Sequence, residues 1–437
     1  MIFSIHPSNL VAALSTALEL STRGLSRHHW RTAMLADRLA GEAGMPEKER
    51  QQLFYAALLH DLGAASNWAE RRKLVTLKVG DDVYQHAENG YLLLKDSTQL
   101  GVLADIIRHH HDRWDGNNLS RLAGKDIPLA SRIINLADRL EILIRDNVDI
   151  FEQRPQILSA LRELSGTYFD PDLVKCLHGF ARQESFWLDL TNASYYQNFF
   201  RDTSGIGYLR FSVDDVRDIA EIFATIIDRT SRFTGIHSRA VAMVAAFLAE
   251  VIGFSTDEVK MIRIAGLFHD LGKLAVPNEI LEKPGKLTSQ ELAVIRQHPY
   301  YTYRILEQID GFELICEWAA FHHETLDGGG YPFRHKMSSL KLGSRIVSVA
   351  DVFVALTENR PYRSALPIHK VEHIIREMVN NRKLDGNIAA ALFSNRDAVS
   401  SLMDNILRME SRPGPLGIIQ SGISEVPENG RALAKSG

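Results

Sequence analysis

The sequence predicts an all-α protein built as two tandem helical domains. Three observations carry that expectation: apolar residues recur at helical spacing, helix-start signals precede them, and the first half of the chain repeats in the second. Val213, Val216, Ile219, Ala220, Phe223, Ile226 and Ile227 step by three and four, as do Val241, Val244, Leu248 and Val251, so each set lies on one helix face. Ser255 followed by Glu258 is a capping box. Thr288 followed by Glu291 is another, and it should open a helix with Leu292, Ile295 and His298 on one face. Stretches that alternate apolar and polar residues are few and short, so no sheet is expected. Gly and Pro cluster at 328–332 and again from about 412 onward, where Pro413, Gly414, Pro415 and Gly417 suggest a flexible tail over 412–437.

The repeat is long. Residues 28–63 lie over 237–272 at a constant offset of 209, with LLHDLG matching LFHDLG and Gly44 matching Gly253. HHDRWDG at 110–116 lies over HHETLDG at 322–328, and SRIINLAD at 131–138 over SRIVSVAD at 344–351, the offset drifting only to 213. That period is far too long for a solenoid, so a duplicated domain is expected, with units at about 1–200 and 201–411.

Composition narrows the function. The 437 residues carry 50 Lys+Arg against 54 Asp+Glu, a formal net charge of −4, which gives no sign of a DNA- or RNA-polymer binder. The two cysteines, Cys176 and Cys316, make neither a disulfide framework nor a thiolate zinc site. The longest apolar stretch, 241–254, is too short to cross a bilayer, and no basic leader precedes the first apolar residues. A cytoplasmic location with no membrane partner is therefore expected.

Histidine is abundant, at 17 residues, and its placement carries the chemistry. His237, His269, Asp270, His298, His322, His323 and Asp351 recur in register in the first half as His28, His60, Asp61, His86, His110, His111 and Asp138. A lone histidine is commonly a core or surface residue, and a lone Asp commonly a cap. A joint set kept between halves whose apolar filling differs is another matter, since buried His and Asp are costly unless paired or bound to metal. Imidazole suits Zn, Fe, Mn, Ni and Cu, and a carboxylate such as Asp270 can bridge two cations.

The second half, from about 213 to 409, resembles the HD-GYP phosphodiesterases, a branch of the HD superfamily of helical metal-dependent phosphohydrolases. The resemblance rests on HSR at 237–239, HDLGK at 269–273, His298-Pro299, HHETLDGGGYP at 322–332 and SVADVFVALTENRPYR at 348–363. It implies two HD-type domains and hydrolysis of a cyclic dinucleotide, with cyclic di-GMP giving linear pGpG or GMP as the first expectation. The other readings are 3′,3′-cyclic GMP-AMP as substrate and a non-catalytic cyclic-dinucleotide receptor. An HD nucleotidase or alarmone hydrolase is disfavoured by the 328–332 loop and the 360–363 segment.

Carried onto this chain, the resemblance makes His237, His269, Asp270, His298, His322, His323 and Asp351 the metal ligands, with Asp270 bridging. It places Lys273 against the scissile phosphate and Arg360 and Arg363 against substrate, with Tyr331 beside the ligand or pinning its loop. Members with a third metal carry Glu where Phe233 stands, so two ions are expected, iron or manganese. Thr325 replaces a basic residue, and Val354 an aspartate, at positions outside the ligand set.

The first half departs where substrate would be held. Ala64 stands in place of Lys273, Asn117-Asn118-Leu119 in place of Gly329-Gly330-Tyr331, and Arg145-Asp146-Asn147-Val148 where an RPYR segment would fall. It is expected to be a degenerate HD domain, regulatory or structural, able to bind metal at His28, His60, Asp61, His86, His110, His111 and Asp138; the other reading is a metal-free relic in which these histidines hydrogen-bond to one another and to Asp61.

Overall fold

The computed structural model describes residues 5, 7–21, 27–65, 84–192, 211–230, 236–358 and 364–410. The expected tail at 412–437 lies outside them, as do Phe233, Arg360 and Arg363 and the stretch around the expected boundary at 200. The described residues are helical throughout, apart from turns and one isolated bridge between Ser165 and Phe169.

The first unit runs through α1 (Pro7–Ser21), α2 (His28–Glu42), α3 (Glu47–Leu59), α4 (Tyr84–Leu94), α5 (Ala104–Arg108), α6 (Leu129–Ile142), α7 (Ile150–Glu163), α8 (Pro171–Phe180) and α9 (Glu184–Thr191). The second runs through α10 (Val213–Arg229), α11 (His237–Ile252), α12 (Thr256–Phe268), α13 (Asn278–Leu281), α14 (Ser289–Ile295), α15 (His298–Leu306), α16 (Glu313–Ala320), α17 (Leu342–Thr357), α18 (Ile368–Asn380), α19 (Gly386–Ser394) and α20 (Arg396–Glu410). The capping boxes open α12 and α14, and a third, Ser212 with Asp215, opens α10. The stepped apolar residues of α10 and α11 are buried in the core, except Val251, which is exposed in the last turn of α11.

The duplication is visible in the backbone. Gly44 and Gly253 both take positive φ, 73° and 95°, just beyond the ends of α2 and α11, a conformation open to glycine and costly for other residues. Gly116 and Gly328 both sit at φ 80°. A Cβ on Gly63 would lie 2.0 Å from the His86 carbonyl oxygen, and one on Gly272 would lie 2.0 Å from that of His298. Each unit packs its first His helix on the helix that follows and on the helix carrying its second Asp, as α2 on α3 and α6, and α11 on α12 and α17.

The His269-Asp270 pair follows α12, which ends at Phe268, and leads into a short 3₁₀ segment, Leu271–Ala275. One local expectation is corrected. The helix opened by Thr288 stops at Ile295, and His298 begins α15, with Pro299 in its first turn, where its missing N–H is not needed.

A continuous apolar core runs through both units. α1 bridges them, packing on α3 of the first unit and on the 271–275 segment and α15 of the second. Polar contacts add to the junction: Gln99 donates to Asp215 at 2.7 Å and Ser97 to Asp218 at 2.8 Å. No helix among the described residues is long and apolar enough to cross a membrane.

Candidate metal centre

Five elements of the second unit deliver the candidate ligands to one buried point. His237 opens α11, and Asp228 at the end of α10 holds that helix start by accepting from Ser238 N at 3.1 Å and Ser238 Oγ at 2.6 Å. Burial pushes Asp228 up to about 7. His269 and Asp270 follow α12, where Thr302 Oγ1 donates to the His269 carbonyl at 3.1 Å. His298 opens α15, His322 and His323 follow α16, and Asp351 lies within α17.

The donor atoms converge in overlapping groups: His237, His269 and Asp351; His269, Asp270 and His322; His298, His322 and His323, each group within 4.8 Å. Asp270 faces two ways. Its Oδ2 lies 3.2 Å from His269 Nε2 and 3.8 Å from His237 Nε2, while its Oδ1 lies 3.3 Å from His298 Nε2. Asp351 Oδ1 is 3.2 Å from His237 Nε2. The structure thus brings all seven expected residues together.

Backbone carbonyls fix the protons. His269 Nδ1 donates to Gly266 O at 2.7 Å, His298 Nδ1 to Ile295 O at 2.8 Å and His322 Nδ1 to Ala319 O at 2.6 Å. A carbonyl only accepts, so each Nδ1 carries hydrogen. Burial pushes His298 down to about 3 and His322 down to about 4, which makes both imidazoles neutral and leaves each Nε2 a bare lone pair. Those two Nε2 atoms face each other at 3.3 Å with no hydrogen between them, and His269 Nε2 is buried without a hydrogen-bond partner. Inward lone pairs behind carbonyl-locked Nδ1 groups are the arrangement that imidazoles take around a transition metal. Burial alone would raise Asp270, but His269 and Lys273 outweigh it and hold the carboxyl well below its usual range; His237 and His269 do the same for Asp351. The donor set therefore fits metal binding.

The rim is more open. Lys273, its side chain 21 % exposed, places Nζ 2.5 Å from Asp270 Oδ2. Tyr331 stacks on His323 with ring centres 4.9 Å apart, and the Arg296 guanidinium lies over the Tyr331 ring at 5.2 Å. Three residues escaped the sequence reading. Glu324 pins the loop by accepting from the N–H groups of Phe333 at 2.7 Å, Arg334 at 3.1 Å and His335 at 2.9 Å. Glu358 accepts from His237 Nδ1 at 3.0 Å, turning Nε2 inward. Asp228 anchors the helix start, as above. The HHE string was the available signal for Glu324; nothing local marked the other two.

The first unit gathers a parallel set. Asp61 Oδ2 is 3.3 Å from His60 Nε2 and 3.5 Å from His28 Nε2, and its Oδ1 is 3.4 Å from His86 Nε2. His86, His110 and His111 form a second group, and Asp138 Oδ1 lies 3.3 Å from His28 Nε2. Ala64 is buried where Lys273 stands in the other unit. His29 joins the cluster as well, although Ser238 occupies the matching place in the second unit.

Comparison with known proteins places this chain. The HD domain family matches residues 25–143 and again residues 221–388. A 3′3′-cGAMP-specific phosphodiesterase 1 of Vibrio cholerae is 32 % identical over 376 residues, spanning 84 % of this chain and 86 % of the relative. A cyclic di-GMP phosphodiesterase response regulator of Xanthomonas campestris is 33 % identical over 200 residues, 45 % of this chain and 53 % of that protein. The crystal structure of a cyclic GMP-AMP-specific phosphodiesterase of Vibrio cholerae superposes with a TM-score of 0.63 at 25 % identity, covering 90 % of this chain and 98 % of that one. With its two all-α units, their repeated His and Asp sets and these relatives, the chain belongs to the HD-domain cyclic-dinucleotide phosphodiesterases and carries two HD domains in tandem.

Proposed function

We propose that the second HD domain hydrolyses 3′,3′-cyclic GMP-AMP, using two transition-metal ions, iron or manganese, held by His237, His269, Asp270, His298, His322, His323 and Asp351. The observation that carries this reading is the pair of facing Nε2 lone pairs of His298 and His322 beside the two-faced carboxylate of Asp270. The sequence put cyclic di-GMP first. The relatives move that preference: one named for 3′3′-cGAMP aligns with most of this chain, whereas the one named for cyclic di-GMP aligns with less than half.

Bound ions supply hydroxide near neutral pH by lowering the pKa of a coordinated water, and they neutralise phosphoryl charge. The protein does the rest. Asp270, held ionised by its neighbours, offers one oxygen to each side of the centre. Glu358 and the carbonyls of Gly266, Ile295 and Ala319 orient the imidazoles. Lys273 supplies a fixed positive charge at the mouth for the non-bridging oxygens. Tyr331, in contact with His323 and Arg296, shapes the wall where a base would lie. Arg360 and Arg363 are assigned to the substrate on the RPYR pattern and lie outside the described residues. Without the lysine and the GYP loop, the first HD domain is assigned a regulatory or structural role.

The test is direct. Manganese- or iron-loaded protein is incubated with 3′,3′-cyclic GMP-AMP, cyclic di-GMP and cyclic di-AMP, and the products are resolved by chromatography. A higher kcat/KM for 3′,3′-cyclic GMP-AMP is expected. A preference for cyclic di-GMP would overturn the substrate assignment, and no hydrolysis of any of the three would overturn the enzyme assignment.

A further inference from the structure

The turn that carries Asp270 and Lys273 is tied by one hydroxyl. Thr302 lies in α15, one turn after His298, and is fully buried. Its Oγ1 donates to the His269 carbonyl at 3.1 Å and accepts from the Gly272 N–H at 2.9 Å. A hydroxyl carries one hydrogen and two lone pairs, so it makes both bonds at once. They join the two ends of residues 269–272, with Asp270 between them. Asp270 sits there at φ −96° and ψ 9°, in the sparsely populated region between helix and extended backbone. Lys273 N then donates to the Asp270 carbonyl at 2.8 Å, so the lysine leaves the tied segment in a set direction.

The first HD domain supplies the control. Its counterpart of Thr302 is Gly90, at the same offset of 212 that relates His86 to His298. Gly90 has no side chain to tie the turn, yet Asp61 takes φ −90° and ψ 6°, nearly the conformation of Asp270. The hydroxyl is therefore not needed to form the turn. Nor is there room for one in the first domain, where a Cβ on Gly90 would lie 2.8 Å from Ile107 Cγ2. The residue matching Ile107 is Ala319, a shorter side chain on α16, which packs against α15. The hydroxyl and the space for it thus occur in the domain with Lys273, and both are absent where Ala64 replaces the lysine. Folding gives no reason for that pairing, because both turns form. A charge that has to be aimed does.

We propose that Thr302 is a positioning residue for hydrolysis: its hydroxyl stiffens residues 269–273 and so holds Lys273 aimed at the substrate phosphate. It acts through the lysine and not by contact with substrate. The lysine stem is long and flexible, so a base free to move would spread the ammonium over positions of which few face a phosphoryl oxygen. The inference rests on the second domain being the hydrolase with Lys273 at the phosphate, and one arm of its test does not use turnover.

Thr302→Val keeps the side-chain shape and removes the hydroxyl. The full manganese-loaded chain is assayed with whichever of the three cyclic dinucleotides the parent cleaves fastest. In Thr302→Val, kcat is expected to fall about tenfold with KM changed less than about twofold, as for a misplaced catalytic group, and metal content should hold. Thr302→Ser, which keeps the hydroxyl, should recover most of kcat. In a Lys273→Ala background, Thr302→Val should cost less than about twofold, because the group it aims is gone. Amide exchange over 269–275 should quicken in Thr302→Val, since the Gly272 N–H loses its acceptor. An equal cost of Thr302→Val with and without Lys273 would overturn the role through the lysine, as would loss of metal in proportion to loss of rate. Unchanged kcat or unchanged exchange in Thr302→Val would overturn the clamp. Should Thr302→Val fail to fold, Thr302→Ala is judged by the same criteria. If the parent cleaves none of the dinucleotides, the assignment of function falls by itself, and exchange over 269–275 decides the clamp.

Discussion

Removing the Lys273 ammonium isolates its contribution to the reaction from that of the metal ligands. Nζ sits 2.5 Å from Asp270 Oδ2, at the mouth of the centre, with 21 % of the side chain exposed. A unit charge about 4 Å from a phosphoryl oxygen is worth about 4 kcal/mol at the effective dielectric of a protein surface region. Partial exposure screens some of that, leaving about 3 kcal/mol, or about a hundredfold in rate. Metal retention should survive Lys273→Ala, because His269 and His298 still face the two oxygens of Asp270. The assay pairs initial rates of 3′,3′-cyclic GMP-AMP linearisation with metal content on the same sample. Turnover within threefold of the parent would refute the charge-stabilising role. Loss of metal in proportion to loss of rate would refute the separation of lysine from ligand set.

Three further outcomes follow from the same geometry. Glu358→Ala frees the His237 ring and should weaken metal binding by about 10- to 100-fold, measured by chelator competition, with Glu358→Gln largely restoring it; equal affinity in parent and alanine variants contradicts the orienting role. Gly330→Ala sets a Cβ 2.5 Å from Glu324 Cα and 2.6 Å from the His323 carbonyl, so the loop must move, at about 1–3 kcal/mol of stability, and substrate KM should rise; an unchanged KM would mean that the loop does not line the substrate site. In chelated protein, His298 and His322 have native values near 3 and 4 against about 6.5 when unfolded, so the unfolded state binds more protons as pH falls. Stability contributed by these two is full above about pH 6.5 and declines on acidification, by about 1.4 kcal/mol per pH unit for each histidine until its native value is reached. Burial pulls His28 and His60 down too, but neighbouring carboxylates outweigh it and raise them, so they oppose the trend, as does Asp228, which burial raises to about 7; His110, His111 and His323 add to it. Urea midpoints that stay flat between pH 4.5 and 7 would contradict this reading.

What was legible in the sequence follows from which physical constraints are local. Helical period and the Ser255 and Thr288 caps depend on neighbours three or four residues away, and those helices begin where expected. The repeat exposed Gly44, Gly253 and the paired His and Asp positions, because close approach and converging donors restrict residue type strongly. The break after Ile295 was not legible, since a helical spacing continues through it to His298; Pro299 was the local hint. Glu358 and Glu141 escaped because they reach histidines over a hundred residues away and stand at different places in the two halves. His29 escaped because comparison between halves rewards only shared residues, and its partner position holds Ser238. The base preference of the substrate site was not legible at all, for nothing in the motifs reads one purine against another.

The account's central claim is that hydrolysis belongs to the second centre, built around Asp270, and not to the first, built around Asp61. Asp270→Ala and Asp61→Ala in the full chain, loaded with manganese and given 3′,3′-cyclic GMP-AMP, test it in one measurement of initial rate. Asp270→Ala should abolish linearisation while Asp61→Ala retains a measurable rate. Hydrolysis surviving Asp270→Ala, with loss in Asp61→Ala, would contradict the claim and move the chemistry to the first domain.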